Sequence, residues 1–454
     1  MRNPLLAPDL RELVEEQDEL GLRDFFNSHH PATAAELLED LEPEEALYVL
    51  RQLDPRPRAE LFSYLEAPLQ DALVARMDRE AVADLLTAMR HDERADLASR
   101  LPQERVDVIL PLLARVERED IRRLASYEEG TAGAVMTTDF ATLPPEITAG
   151  ASIDVLRQVA PDRETIYYCY VLDHDYRLIG FVSLKNLILA APDRKIKDIM
   201  ETQVVSASVD DDQEKVAQTL TRYDLLALPI VDADGRLLGI VTHDDVIDVM
   251  VEETTEDVHR MGAVGAMVEN YLDTPFATVW WKRSVWLSCL FIAELATFTA
   301  LSEFHDTIEA ISVLALFVPL CISTGGNSGS QAATLITRAL ALGQLSPSDW
   351  FRVIRHELAM GIALGLTLGG IAFVRTALTK ASVLKGADRW DLTLTISSSV
   401  AAICLWGTLI GATLPILFRK MGIDPAFASS PFVATFVDVT GIIILFSFVH
   451  LYMF

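Results

Sequence analysis

The sequence predicts a multidomain fold: an all-α helical-repeat N domain, an α/β tandem repeat, a connecting helix and a five-helix α transmembrane domain. Three observations predict it. A large apolar residue recurs every twelve positions from Leu41 to Leu113. Two sixteen-residue segments match at a constant offset of 59. From Ser284 onward, apolar stretches long enough to cross a bilayer follow one another. The charge divides along the same line. Of the net −28, the stretch from Ser284 to Phe454 holds ten acids and nine bases, leaving 56 acids and 29 bases in the first 283 residues. An acidic half of this kind repels nucleic acid, so no nucleic-acid partner is expected, and it attracts cations.

The array covers 1–130. Leu41, Leu53, Leu65, Met77, Met89, Leu101 and Leu113 mark the repeat, and Pro or a helix-starting acid follows several of them, as in Leu53-Asp-Pro and Leu101-Pro. Each unit therefore reads as a short helix plus a turn that buries its apolar face only by stacking on neighbours. The chain opens Met1-Arg-Asn-Pro-Leu-Leu-Ala-Pro-Asp without an apolar h-region, which predicts no cleaved signal peptide and a cytoplasmic soluble half. Cys169, Cys289, Cys321 and Cys404 are too widely spaced for a disulfide framework or a thiolate metal site.

Over 131–251 short β-branched runs alternate with amphipathic helices. Val171-Leu-Asp-His-Asp-Tyr-Arg-Leu-Ile-Gly-Phe-Val-Ser-Leu-Lys-Asn186 matches Ile230-Val-Asp-Ala-Asp-Gly-Arg-Leu-Leu-Gly-Ile-Val-Thr-His-Asp-Asp245. Each copy reads as strand, tight turn, strand and a helix capped by Ser183 or Thr242. This resembles a tandem pair of cystathionine-β-synthase (CBS) modules. Residues 252–283 follow as a connecting helix over Glu252 to about Val279, ending in Trp280-Trp281-Lys282-Arg283, a pairing that suits a membrane interface.

The transmembrane domain, 284–454, takes five spans, roughly 284–304, 309–337, 353–378, 391–418 and 426–453. Lys282, Arg283, Arg338, Arg352, Arg355, Arg419 and Lys420 fall on the side of the soluble half, against Arg375, Lys380, Lys385 and Arg389 at the other, which supports a cytoplasmic N-terminus.

Two intramembrane features carry chemistry. Asp438 is the one carboxylate between Pro425 and Phe454, and an acid at that depth points to a wet path or a bound cation. Pro319 precedes Thr324-Gly-Gly-Asn-Ser-Gly-Ser-Gln331 in span two. Proline and glycines there either free backbone carbonyls toward a path or serve close helix packing, with Asn327 and Gln331 offering oxygen ligands. A phosphate loop is excluded because no Lys-Ser/Thr follows the glycines. His356-Glu357 fails as a zinc protease because position 360 is Met360.

Taken together, the acidic helical repeats, the CBS pair, the connecting helix and the five spans resemble the MgtE family of magnesium channels. Pro319 with Gly325-Gly-Asn-Ser-Gly-Ser-Gln331, and Asp424-Pro-Ala426 with Pro431 to Gly441, resemble its most distinctive segments. The resemblance implies a homodimer in the inner membrane, with an ion path on its axis and no enzymatic activity. Asp438 matches the selectivity acid, the Ala434 carbonyl its neighbour in the site, and Asn327 joins them as a pore contact.

The resemblance further implies Mg2+ as both cargo and regulatory ligand. Cytosolic ions would bridge Glu60, Asp92 and Asp96 in the array and Asp224, Asp245 and Asp248 in the second CBS module. Glu253, Glu256 and Asp257 in the connecting helix, and Asp424 before span five, complete the set. For ATP the pattern is broken: Tyr168 matches the adenine-stacking residue, but Lys185, Asn186 and Leu225 replace an Arg-Asp pair and an aromatic. Weak or absent ATP binding at Tyr168 and Lys185 is the expectation. Glu294 in span one has no implied role. A proton- or sodium-coupled divalent antiporter, or a membrane-anchored CBS sensor of metal or nucleotide, are the rival readings.

Overall fold

Among the described residues, the ten helices of the N-terminal array begin twelve residues apart. In the computed structural model, which describes residues 7–160, 163–267, 271, 274–384 and 387–454, the array comprises α1 (Ala7–Glu15), α2 (Glu19–Ser28), α3 (Pro31–Leu38), α4 (Pro43–Gln52), α5 (Pro55–Ser63), α6 (Ala67–Arg76), α7 (Arg79–Ala88), α8 (His91–Arg100), α9 (Gln103–Ile109) and α10 (Arg115–Leu124). The segment before Ala7, where the sequence shows no h-region, and Lys385 lie outside the described residues.

The repeated apolar residue explains the period. Leu53, Met77, Met89 and Leu101 each close a helix in extended backbone, turning the chain while the side chain points inward. Leu53, Leu65, Met77 and Met89 are buried. Proline in the first turn of α3, α4, α5 and α6 sets the next helix without losing a hydrogen bond. Most helices then pack on the one two units away, α2 on α4, α3 on α5, α4 on α6, α5 on α7, α7 on α9 and α8 on α10. One apolar core therefore runs from Leu10 to Ile121.

The two matched segments build two three-stranded sheets. In the first, β1 (Phe140–Leu143) lies parallel to β2 (Thr165–Leu172), which pairs antiparallel with β3 (Leu178–Ser183). The second repeats this with β4 (Ala207–Ser208), β5 (Ala227–Val231) and β6 (Leu237–Thr242). Helices α11 (Ala149–Val159), α12 (Leu184–Leu189), α13 (Ile196–Ile199) and α14 (Gln213–Arg222) cover them.

Each sheet is extended by a residue from the other half. Thr137 exchanges backbone hydrogen bonds with Ile240 at 2.8 and 2.9 Å, and Glu201 does so with Phe181 at 2.9 and 3.0 Å. Gly180 and Gly239, 59 apart, make room. A Cβ at either would stand 2.8 Å from a backbone carbonyl, of Glu201 and Thr137 respectively.

After β6 the helix α15 (His243–Met261) continues unbroken through Glu253, Glu256 and Asp257. The helix expected to Val279 therefore starts earlier and stops sooner. At its end Val264 N–H donates to the His259 carbonyl and Ala263 takes a left-handed φ of 55°, which closes the last turn. Among the described residues the next helix starts at Phe276, after Pro275.

Residues 251–454 form the second of two compact units, the first being 1–250. Its long helices are α16 (Phe276–Glu303), α18 (Val318–Ala341), α19 (Trp350–Ala377), α21 (Arg389–Lys420) and α22 (Ser430–Met453), with the short α17 (His305–Ala310) and α20 (Ala381–Leu384) between them. Four are long and apolar enough to cross a membrane: α16, α19 with the turn before it, α21 and α22. The fifth, α18, has 24 residues, ~36 Å of helix. Its Gly, Ser, Asn and Gln content is what makes it more polar than the other four.

Span two also starts later than the expected 309, because the chain breaks at Ile311 into a 3-10 turn over Ser312–Leu316. Pro319 then falls in the first turn of α18, where no hydrogen bond is lost, and the helix runs unbroken through Gly325 to Gln331. The glycines serve packing and free no carbonyls. A Cβ on Gly407 or Gly411 of α21 would overlap the carbonyl of Gly325 or Gly329 on α18. The buried Ser328 hydroxyl bonds Thr408 Oγ1 at 2.5 Å and the Cys404 carbonyl at 3.2 Å, so α18 and α21 lock together.

Gly407→Val is expected to destabilise this contact by about 1–3 kcal/mol, through forced separation of two backbones. A lower melting temperature of the full chain in detergent checks it. Gly370→Val, where no atom lies within 4 Å of a Cβ, should leave melting unchanged.

Candidate functional site

In the helical unit, Asp438 and Ala434 lie one turn apart on α22 and face Gly326 of α18. A Cβ at Gly326 would sit 3.4 Å from both the Ala434 methyl and Asp438 Oδ1, so a methyl would only just be accommodated between the helices at this level. Asp438 is half-buried, and among the described residues no hydrogen bond or ion pair engages it. Asn327 is the next residue along α18, exposed, with Nδ2 3.4 Å from Ser323 Oγ.

Ser323, Asn327, Gln331, Thr334 and Arg338 are all exposed and spaced by four, four, three and four residues. They form one polar stripe along a helix whose remaining faces are buried or apolar. Ser330 Oγ donates to the Ser430 carbonyl at 3.1 Å, tying the lower part of α18 to the start of α22. Trp406 Nε1 donates to Thr440 Oγ1 at 2.9 Å and fixes α21 against α22. Glu294, in α16, is half-exposed. His356 pairs with its neighbour Glu357 at 3.2 Å, and no third ligand joins them among the described residues.

In the first unit, α8 presents Asp92 and Asp96 toward the second repeat, whose α15 carries Asp245 in its first turn. Thr242 Oγ1 donates to Asp245 Oδ2 at 2.5 Å, so the carboxylate is held in place by the turn that starts the helix. Asp92 Oδ1 is buried with no hydrogen-bond partner. Burial pushes the Asp92 carboxyl up to about 6, helped by the charge of Glu93. Burial and the Asp92 charge raise Asp245 to about 6. Lost hydration and the same neighbour raise the more open Asp96 to about 7.

A cavity of about 700 Å³ adjoins this group, lined by Glu60, Glu93, Glu164, Asp244, Asp245 and Asp248 together with several arginines. Asp248 is raised by burial and by Asp244. Glu93 and Glu164 were not among the acids picked from sequence. Burial raises Glu164 to about 7 despite its ion pair with Arg90 at 2.8 Å. Glu93 is not at the recurring apolar position of the helical repeat and Glu164 lies outside the two matched segments, so no local pattern marks either.

The same face holds one acid that is fully matched. Asp120 is opposed by burial, but hydrogen bonds from His91, Arg94 and Thr138 hold its carboxyl far below the usual range. Its oxygens lie 2.7 Å from His91 Nδ1 and 2.9 Å from Arg94 Nη2, while His91 Nε2 faces Asp139 at 3.1 Å. This network ties α8 and α10 to the segment just before β1.

Asp224 joins neither group. It sits exposed after α14 with a left-handed φ of 51°. In the second unit Glu253, Glu256 and Asp257 lie on the last turns of α15, and Asp424 caps the 3-10 turn over Pro425–Phe427 by accepting from Ala426 N–H at 2.8 Å. Asp257 is raised by burial and then by the charges of Asp424 and Glu253. Arg260 pairs with both Glu256 and Asp424. The Glu256-Arg260 spacing was readable as an i,i+4 pair, but the reach to Asp424 was not.

Among the described residues, no three His, Cys, Asp or Glu side chains converge on one point that could hold a metal. The unpartnered Asp92 oxygen beside Asp96 and Asp245 does suit a hydrated hard cation, since magnesium keeps most of its water and takes one or two carboxylates.

In the first repeat, Tyr168 packs edge-on against Phe181 at 5.4 Å, Lys185 is exposed, and Asn186 Nδ2 is 3.4 Å from Glu201 Oε1. Leu225 packs against the core of the second repeat.

Comparison with known proteins adds to this geometry. The MgtE intracellular N domain profile matches residues 29–130, CBS domain profiles match 132–193 and 196–252, and the MgtE divalent cation transporter profile matches 318–448. The chain is 38% identical to magnesium transporter MgtE of Thermus thermophilus over 453 residues, 98% of each protein. The chain belongs to the MgtE family.

A second MgtE, from Enterococcus faecalis, is 36% identical over 74% of this chain and 72% of its own. Among solved structures, the soluble part of a magnesium transporter is 36% identical with a TM-score of 0.52, covering 54% of this chain and 97% of that one. The cytosolic domain of the Mg2+ channel MgtE in complex with ATP is likewise 36% identical, TM-score 0.51, covering 54% of this chain and 100% of its own. MgtE proteins are transporters and not enzymes, and membership makes this a membrane protein with cytosolic N-terminal domains.

The acid cluster of this MgtE chain has a signed pH dependence. Asp92, Asp96, Asp245 and Glu164 bind protons more tightly folded than unfolded. The stability they allow is therefore full below about pH 4, the ordinary carboxylate value, and is lost as pH rises to 6–7. Without divalent ions, the cytosolic transition of the full chain should melt higher at acid than at neutral pH, and magnesium should raise it more at neutral pH. Equal shifts at both would count against the cluster.

Proposed function

We propose that the chain is a homodimeric, magnesium-selective channel of the inner membrane whose opening is suppressed by cytosolic magnesium. The observation that carries the conduction reading is Asp438. It is a half-buried carboxylate of a membrane helix with no protein cation engaging it among the described residues, placed against Gly326 beside Asn327 and the polar stripe of α18. A second copy of the chain would set two Asp438 carboxylates about one axis, with Ala434 carbonyls and Asn327 amides as further oxygen contacts. Two carboxylates attract a hydrated divalent ion while leaving most of its water, which keeps binding weak enough for release.

Regulation follows from the acid groups. The Asp92, Asp96 and Asp245 set, with Glu60 and Asp248 along the cavity edge, is destabilised by its own charge at neutral pH, and magnesium relieves that repulsion. Glu253, Glu256, Asp257 and Asp424 form a second set at the end of α15, and Asp224 is a separate exposed acid. When cytosolic magnesium is high, these sites fill and the arrangement that closes the path is favoured in proportion to its tighter binding.

Nucleotide has a small part in this reading. A relative's cytosolic domain holds ATP, but here Asn186 offers a neutral amide, already near Glu201, where a carboxylate would accept charge-assisted bonds from ribose. Leu225 cannot stack on adenine.

Asp438→Asn should keep the shape and remove the charge, so magnesium loses its advantage over monovalent ions in single-channel recordings; retained divalent selectivity would remove Asp438 from the path. Neutralising Asp92, Asp245 and Glu256 together should leave conduction insensitive to cytosolic magnesium, checked by patch recordings over a magnesium series. Calorimetric titration of the full chain should show no micromolar ATP site, and Asn186→Asp with Leu225→Phe should create one.

A further inference from the structure

We infer that Arg260 is a tethered cation that occupies the Glu256–Asp424 pair and sets the magnesium concentration at which that pair takes up metal. The inference rests on the regulatory reading above and deepens it. Its first support is connectivity. Arg260 Nη2 bonds Glu256 one turn earlier on α15, and Nη1 bonds Asp424 Oδ2 across 164 residues. Asp424 Oδ1 is already committed to the Ala426 N–H at 2.8 Å. The Asp424 oxygen with no backbone bond to keep is thus the one the guanidinium holds.

The second support is the way the guanidinium is seated. Its carbon lies 5.5 Å from the centroid of the Phe427 ring, and Trp286 stacks on that ring at 5.6 Å. Arginine on an aromatic face keeps its planar fork oriented, so little freedom is lost in bridging two carboxylates. The third is the surrounding charge. Asp257 and Glu253 stand beside the pair on α15, Arg338 of α18 faces Asp257, and His259 lies next to Arg260 in the chain. The acids outnumber the cations, and Arg260 is the cation in direct contact with two of them.

A monovalent bridge and a divalent ion cannot share one pair of oxygens. Magnesium bound there must expel the guanidinium, and its apparent affinity is reduced by the fraction of time Arg260 is seated. Removing the side chain deletes the competitor and deepens the negative field, and both effects act in one direction.

The test is hydrogen exchange of residues 251–261 in the full chain, in lipid nanodiscs, over a magnesium series begun in chelator. For Arg260→Gln the half-protecting magnesium concentration should fall about fivefold or more, the low end of ordinary coupling. In chelator the same segment should exchange faster than wild type, because the bridge is gone. Arg260→Lys, which keeps the charge without the fork, should fall between the two, and Phe427→Leu should lower the half-point without touching a charge.

A half-point for Arg260→Gln equal to or above wild type overturns the inference. Should Arg260→Gln not fold, the ordering of Arg260→Lys and Phe427→Leu below wild type decides in the same way. A wild-type segment whose exchange does not respond to magnesium overturns the regulatory reading itself, a result distinct from an unchanged half-point.

Discussion

An ionised carboxylate a few ångströms from another is destabilised unless a proton, a protein cation or a metal ion stands between them. The chain meets that constraint in three ways. Asp120 is satisfied outright by His91, Arg94 and Thr138, and the result is a fixed tie between the array and the first repeat. Glu256 and Asp424 share one side-chain cation, Arg260. Asp92, Asp96 and Asp245 are left short, with one oxygen of Asp92 buried and unpartnered. The first arrangement is structural, and in the regulatory reading proposed above the other two respond to what is dissolved around them.

The membrane helices face a related problem without water. Lipid supplies neither hydrogen bonds nor a hydrophobic driving force between helices, so contact must come from close backbones and buried polar pairs. Gly325, Gly329, Gly407 and Gly411 provide the first, and Ser328, Thr408 and the Cys404 carbonyl the second. Committing one face of α18 to this seam leaves the opposite face free to carry Ser323, Asn327, Gln331, Thr334 and Arg338. A single helix thus joins rigid packing to a polar surface at the same depth.

Much of the architecture was legible because it is periodic. The twelve-residue recurrence gave helix starts from Pro43 to Arg115, and the offset of 59 gave two sheets with the same strand order. Asp438 was legible because a lone acid is conspicuous among apolar neighbours. What escaped reading has no local signature. The glycine-rich segment allowed both an opened backbone and a packing seam, and only the position of Gly407 and Gly411 against it separates them. Glu164 and Arg90 meet through folding alone. The end of α15 depends on Ala263 accepting a left-handed conformation, which alanine composition does not announce.

The exchange of Thr137 and Glu201 between the two sheets bears on how the chain must be synthesised. Until Glu201 has left the ribosome, β3 presents Phe181 with unfilled backbone groups on a sheet edge, and such edges recruit strands from other molecules. The first repeat is therefore a half-made object for as long as the second is being translated. Pauses in translation between the repeats would expose it to aggregation.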